Sequence, residues 1–184
     1  MLPLKTERLL LRDFVRGDFA DFYAATQDEA YRQFYAESEL AQPFWERIFE
    51  RILASASAEP RRSYQLAVCL PEGTLIGTCG VRTEVIEHMQ ASYGCAIRRE
   101  YWGQGLALEA SRHLITFCFS HLPLHRIYAE TNSENIRARR LAEKLGMRLE
   151  GELHQNRFFR GRWWNTVIYA VLLEEWITGS QDIG

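Results

Sequence analysis

A chain of 184 residues with 47% hydrophobic residues has the length of one ordinary domain and too much apolar content to stay disordered. Its 22 Lys and Arg against 24 Asp and Glu leave a formal charge of -2, which argues against a general nucleic-acid binder. No apolar run approaches the roughly 18–20 residues of a membrane span. The charge-broken start MLPLKTERLLLRDF does not read as a signal peptide, so the expected location is cytoplasmic.

Residues 6–14, with Leu9, Leu10, Leu11 and Phe14, read as a strand that Arg16-Gly17-Asp18 ends. Asp18 is the expected cap of a helix with Phe19, Phe22 and Tyr23 on one face. Pro43 suits the first turn of a second helix, in which Trp45, Ile48, Phe49, Ile52 and Leu53 recur at helical spacing. Residues 63–70 and 74–83 are strand-like and flank a hairpin turn at Pro71-Glu72-Gly73. Residues 91–98 form a further strand. Gly103 and Gly105 precede a helix from about Leu106 to His121, and Pro123 closes it. Residues 125–131 form a strand, and a helix is expected from about Ser133 to Leu145, with Gly146 as the left-handed residue past its end. The last strands are 147–154 and 165–173, joined by a polar, aromatic and basic loop from Gln155 to Trp164. This order fits one mixed α/β domain over residues 1–184, a mixed sheet with helices on its faces, better than a doubly wound sheet.

Cys69, Cys79, Cys95 and Cys118 are widely spaced, with no C-x-x-C, and read as buried reduced thiols. The five histidines are scattered and no H-E-x-x-H occurs, so no metal site is expected. The strand–Gly-x-Gly–helix junction suits an anion, because helix N-terminal amides are unpaired and carry partial positive charge. It equally suits a plain tight turn. Asn132 or Ser133 caps the next helix in the simplest reading, which leaves Asn135 inside the first turn with an amide free to reach a ligand. Arg137, Arg139 and Arg140 give that helix a basic side.

Taken together these junctions resemble the GNAT superfamily of acyl-CoA N-acyltransferases, and most of all its ribosomal-protein N-terminal acetyltransferase branch (RimJ/RimL-like). The likeness runs through Thr6-Glu7-Arg8-Leu9-Leu10-Leu11-Arg12, then Tyr101-Trp102-Gly103-Gln104-Gly105-Leu106-Ala107 with Glu109-Ala110. It continues in His125-Arg126-Ile127, Asn132, Asn135, Leu141 and Lys144-Leu145-Gly146-Met147, and closes on Glu150-Gly151 and Trp163-Trp164-Asn165-Thr166-Val167. The resemblance implies a GNAT-like α+β fold: a twisted, mostly antiparallel mixed sheet with helices on both faces, splayed near the loop after residue 97. It implies acetyl-CoA as cosubstrate and no metal. Ile97 and its neighbours would pair with the pantetheine arm. Amides of Trp102, Gly103, Gln104, Gly105, Leu106 and Ala107 would hold the pyrophosphate, Asn135 would lie near the pantetheine or the thioester, and Asn132 and Arg140 would also bind the cofactor. The amine would attack the thioester directly, without an acyl-cysteine.

The chain also departs from the family pattern. Glu100 replaces a common Gln or Arg, Ala142 a tyrosine acid and Ala138 a serine. Asn165 stands where Asp is common, and Ala91-Ser92 where a strand acid is usual. The remaining candidates to position or deprotonate an amine are Glu84, Glu87, Glu130 and His154, of which Glu84 and Glu130, with Asn135, are the expected catalytic set. With no obvious acid or base, the expected acceptor is a protein N-terminal α-amine, which is neutral to roughly 10–20% at pH 7. The alternatives are a small amine (polyamine, aminoglycoside or amino acid) and a CoA-binding sensor without catalysis. A nucleotide-binding module lacks its phosphate lysine. The first two helices, residues 84–90 and the 155–164 loop are expected to build the acceptor side. No nucleic acid or membrane partner is expected, and the chain is taken as a monomer or homodimer.

Overall fold

The computed structural model describes residues 2–181. Its strands are β1 (Leu4–Lys5), β2 (Leu10–Asp13), β3 (Ser63–Cys69), β4 (Leu75–Arg82), β5 (Gln90–Ile97), β6 (Arg126–Asn132), β7 (Arg148–Phe159) and β8 (Arg162–Leu172). They form one open sheet in the order β1-β2-β3-β4-β5-β6-β8-β7. Every neighbouring pair is antiparallel except β5 and β6. The helices are α1 (Phe19–Thr26), α2 (Glu29–Arg32), α3 (Gln42–Ala56), α4 (Leu106–His121), α5 (Ile136–Lys144) and α6 (Leu173–Gln181).

Both faces of the sheet are covered, which explains why the central strands read as near-continuous apolar runs. Leu66 and Val68 of β3 pack with Leu114, Ile115 and Cys118 of α4. Ala67 and Cys69, one residue out of phase, pack with Phe22 of α1 and with Trp45, Phe49 and Ile52 of α3. Trp45, Phe49 and Ile52 are the stripe anticipated from the sequence, and Pro43 lies in the first turn of α3. Gly146 takes φ +76° past α5, and Met147 N donates back to Ala142 O at 3.0 Å, a left-handed helix stop.

Several boundaries differ from expectation. The segment 6–14 is not one strand: Thr6 Oγ1 accepts from Leu9 N at 2.9 Å and folds a turn between β1 and β2. Asp18 occupies the cap position of α1, but its carboxylate turns back to Val15 N (2.8 Å) and to Arg12. α5 starts at Ile136, capped by Asn135. The expected 155–164 loop is mostly strand, because β7 and β8 run on as a ribbon and turn in two residues, Arg160 (φ +52°) and Gly161 (φ +73°). The chain after Leu172 is helical rather than strand.

The sheet is incomplete at its middle. β5 and β6 pair only through Gln90–Arg126, Ala91–Ile127 and Ser92–Tyr128. β5 continues to Ile97 along β4, and β6 to Asn132 along β8, without pairing with each other. The splay therefore opens at Tyr93, within the strand and before the loop after residue 97.

Candidate active site

The gap between β5 and β6 widens into an open cleft of about 1530 Å³. One wall is β5 and the turn leading into α4; the other is β6 and α5. Arg98 N donates to Ile76 O of β4 at 2.8 Å, so strand alternation turns the backbone groups of Tyr93, Cys95 and Ile97 toward the gap. Trp102 Nε1 takes the Ile97 carbonyl at 2.6 Å, which leaves the Ile97 amide as the group expected to meet a ligand.

At the mouth of the gap, Gly103 and Gly105 both adopt φ +78°, a conformation that excludes most side-chain-bearing residues. The first hydrogen bond of α4 runs from Glu109 N to Gly105 O (3.0 Å). The amides of residues 103–108 have no acceptor among the described residues, the state required of an anion cradle. The expected donor set needs two corrections. Trp102 N already donates to Arg99 O at 3.1 Å, so Trp102 contributes its ring and not its amide. Gln104 lies outside the cleft lining, and its carbonyl accepts from Arg8 Nη1 at 2.9 Å.

That last contact explains the Thr6-Glu7-Arg8 run. Glu109, in the first turn of α4, accepts from Thr6 Oγ1, from Arg8 N (2.9 Å) and from Arg8 Nε (2.7 Å). Burial opposes its charged form, yet these hydrogen bonds and the Arg8 charge hold the carboxyl below its ordinary value. Arg8 thus fastens the glycine turn from behind and neutralises a carboxylate that would repel an anion. No local sequence signal links residues 101 apart.

On the facing wall, Asn132, Asn135, Ala138, Arg140 and Ala142 line the cleft. Asn135 is the cap of α5, its Oδ1 accepting from Ala138 N at 3.2 Å, while Asn132 Oδ1 accepts from Glu134 N at 2.9 Å. The carboxamide oxygen of Asn135 thus spends one lone pair on the cap, while its Nδ2 has no acceptor among the described residues. Arg137 reaches across the mouth and stacks 4.1 Å from the centre of the Trp102 ring, joining the two walls. Tyr169 of β8, not anticipated as part of the site, also lines the cleft; its hydroxyl donates to Glu143 and accepts from Arg139 Nε at 3.2 Å.

The far end of the cleft is aromatic. Tyr31, Phe34, Tyr35 and Trp45 form its wall. Tyr31 and Tyr35 stack at 4.8 Å with hydroxyls 2.8 Å apart, and burial pushes both phenols up. The β7–β8 ribbon closes this end: Arg157 pairs with Glu39 at 3.2 Å and Arg160 donates to Arg32 O. Glu84 and Glu130 are exposed at the cleft edge, both close enough to Tyr128 for their charges to raise its hydroxyl further, after burial. Glu87 does not line the cleft. His154 is exposed on β7, with Nδ1 3.4 Å from Asn165 Nδ2. Burial raises Cys79 well above the ordinary thiol value and pushes Cys118 up to about 12, which suits inert side chains.

A splayed sheet edge leading to free amides at a helix N-terminus is an arrangement able to hold an extended anionic ligand. Residues 8–148 match the Acetyltransferase (GNAT) domain model, and the chain belongs to that family of acetyltransferases. It is 28% identical to the Bacillus subtilis (strain 168) N-acetyltransferase YnaD over 175 residues, 95% of this chain and 99% of that one. A GNAT-family acetyltransferase structure from Bacillus anthracis superposes with a TM-score of 0.77 at 27% identity, covering 93% and 98% of the two chains. The fold is also that of the Vibrio cholerae spermidine N-acetyltransferase solved with CoA and spermine: TM-score 0.79, 22% identity, coverage 94% and 99%.

Proposed function

We propose that this chain, acting as one domain in the cytoplasm and resembling the RimJ/RimL-like branch, transfers acetyl from acetyl-CoA to a protein N-terminal α-amine. The observation that carries the cosubstrate is the unpaired run of β5 leading to the free amides of Gly103 and of residues 105–108. The strand edge suits the amide groups of a pantetheine arm, and the cradle suits a pyrophosphate. Gly103, Gly105, Leu106 and Ala107 then bind phosphate oxygens through the backbone, Trp102 walls the turn, and Arg140 supplies charge from the other side. The Asn135 Nδ2 is a donor at the seam. The amine nitrogen attacks the thioester carbonyl, the C–N bond forms as C–S breaks, and the amine proton passes to solvent or to the departing sulfur.

Ala138 and Ala142 line the cleft, so α5 offers no hydroxyl there as an acid. A reference lysine is neutral to well under about 0.1% at pH 7, which adds about 3 kcal/mol to its reaction relative to an α-amine. The test uses two matched peptides at pH 7 and follows free-thiol release. One has a free N-terminus and blocked lysines, the other an acetylated N-terminus and one free lysine. Faster transfer to the free N-terminus is expected; equal or faster transfer to lysine would overturn the preference. A polyamine acceptor is the second reading, favoured by the spermine-bound Vibrio cholerae neighbour. Turnover with spermidine and with neither peptide would select it.

A further inference from the structure

We infer that Arg82 is a specificity-determining residue that binds the oxygen next to the acceptor amine, so that amines flanked by a carbonyl are selected over polyamines. The inference rests on the acetyltransferase reading above and sharpens its acceptor.

Arg82 ends β4, opposite Ser63 of β3 and Ser92 of β5, beside the last β5–β6 rung. Its side chain lies along the cleft floor. Nη1 donates to Gln65 Oε1 at 2.7 Å and Nε to Ser92 Oγ at 3.3 Å. Two glycines make room for this arrangement: a Cβ at Gly80 would stand 2.0 Å from Gln65 Oε1, and one at Gly94 3.4 Å from Arg82 Nη2. The guanidinium is thus held between side chains of β3 and β5, both of them neutral. Among the described residues Arg82 has no carboxylate within salt-bridge distance, and Nη2 has no acceptor. Of the other arginines that line the cleft, Arg98, Arg99 and Arg157 pair with Asp21, Asp28 and Glu39, whereas Arg51, Arg137 and Arg140 have no carboxylate partner among the described residues; Arg82 differs from those three in being held by side chains of β3 and β5 beside the last β5–β6 rung.

A cation held in place with one donor open to the cleft is able to take an acceptor atom of a ligand in exchange for water. Arg82 lines the same cleft as Tyr31, Tyr35, Glu84 and Glu130, and it stands opposite Ser92, which pairs with Tyr128 in the last β5–β6 rung. An ammonium at the glutamate edge with a carbonyl on Arg82 matches that sequence of charges. A protonated polyamine brings N–H donors and positive charge, offers Nη2 no acceptor and is repelled by the guanidinium.

The test compares L-phenylalaninamide with 2-phenylethylamine, the same amine without its carboxamide, and with spermidine, for wild type, R82Q and R82K. Comparing each substrate across enzymes cancels intrinsic amine reactivity. R82Q is expected to lower kcat/KM for phenylalaninamide about 10- to 100-fold, mainly through its KM. The value for phenylethylamine should move less than about threefold, with the KM for acetyl-CoA unchanged and R82K intermediate. Equal losses for both aromatic amines, or no loss for either, would overturn the inference while leaving acetyl transfer intact. Wild-type preference for spermidine over phenylalaninamide would overturn it too. Wild-type release of no thiol with any amine would instead remove the acetyltransferase reading and the inference with it. If R82Q does not fold, R82K carries the same comparison: a loss confined to phenylalaninamide supports the assignment, and an even loss rejects it.

Discussion

At position 105 the backbone is left-handed, with only Arg8 Nη2 within 4 Å of where a Cβ would stand. Space is not the constraint; conformation is. A β-branched side chain at φ +78° costs about 1–3 kcal/mol or forces the turn to reshape. Gly105→Val is therefore expected to weaken acetyl-CoA binding at least about tenfold, and calorimetric titration of the folded variant checks it. Undiminished affinity would move the anion site elsewhere. The cysteines make the opposite case. Burial raises the thiols of Cys69, Cys79 and Cys118, while Cys95 lines the cleft with its thiol lowered by the Cys79 hydrogen bond; on the direct-attack reading, replacing all four by Ala or Ser should still leave transfer within about threefold per folded enzyme. Lost turnover with retained fold and CoA binding would instead point to an acyl-cysteine. The sequence displayed both glycines plainly, since few other residues tolerate such a turn. It could not assign the cap of α5: Asn132, Ser133 and Asn135 are all good cap residues, and only the point where β6 releases the chain decides among them.

Among elements, the tie between the β1–β2 turn and α4 has the clearest consequence. Glu109 is held below its ordinary value, so its contribution to stability is fully present above that value, near 4.5, and disappears as pH falls through the lower folded-state value. Glu109→Gln should cost about 1 kcal/mol at pH 7, modest because Arg8 is half exposed, and the difference from wild type should shrink below about pH 4.5. Denaturant melts at pH 7 and pH 4 test the sign. The same variant should weaken acetyl-CoA binding several-fold, because the cradle loses its backing. At the other end, Arg157→Gln frees the ribbon from Glu39. It is expected to raise acceptor KM a few-fold with the KM for acetyl-CoA unchanged, and two-substrate kinetics separate these. That ribbon was illegible as strand for a physical reason. β7 lies at the sheet edge and is exposed from Glu152 to Phe158, so it lacks the alternating apolar code of a half-buried strand. Its Arg160-Gly161 turn also lacks the usual Asn-Gly signature.

For the whole molecule, the order of the main strands and helices from α3 to β8 and the two-sided core were legible because burial writes periodicity into sequence, the cleft came only from the family resemblance, and the β1–β2 turn, α2 and α6 were not anticipated. Tertiary pairings such as Arg8 with Glu109 or Arg82 with Gln65 write no such pattern. The sheet consists of two antiparallel blocks, β1–β5 and β6–β8, joined by three parallel rungs. In ordinary sheets the central strands exchange their amide hydrogens most slowly. Here the amides of Tyr93, Cys95 and Ile97 belong to a central strand yet face an open seam, so deuterium should enter them as fast as an edge strand until cosubstrate fills the gap. Filling it supplies the missing rungs, and stability then becomes a function of metabolite concentration. On the proposed reading, acetyl-CoA at a hundredfold excess over Kd is expected to add about 2.7 kcal/mol to the folded state, and denaturant melts with and without it measure that gain.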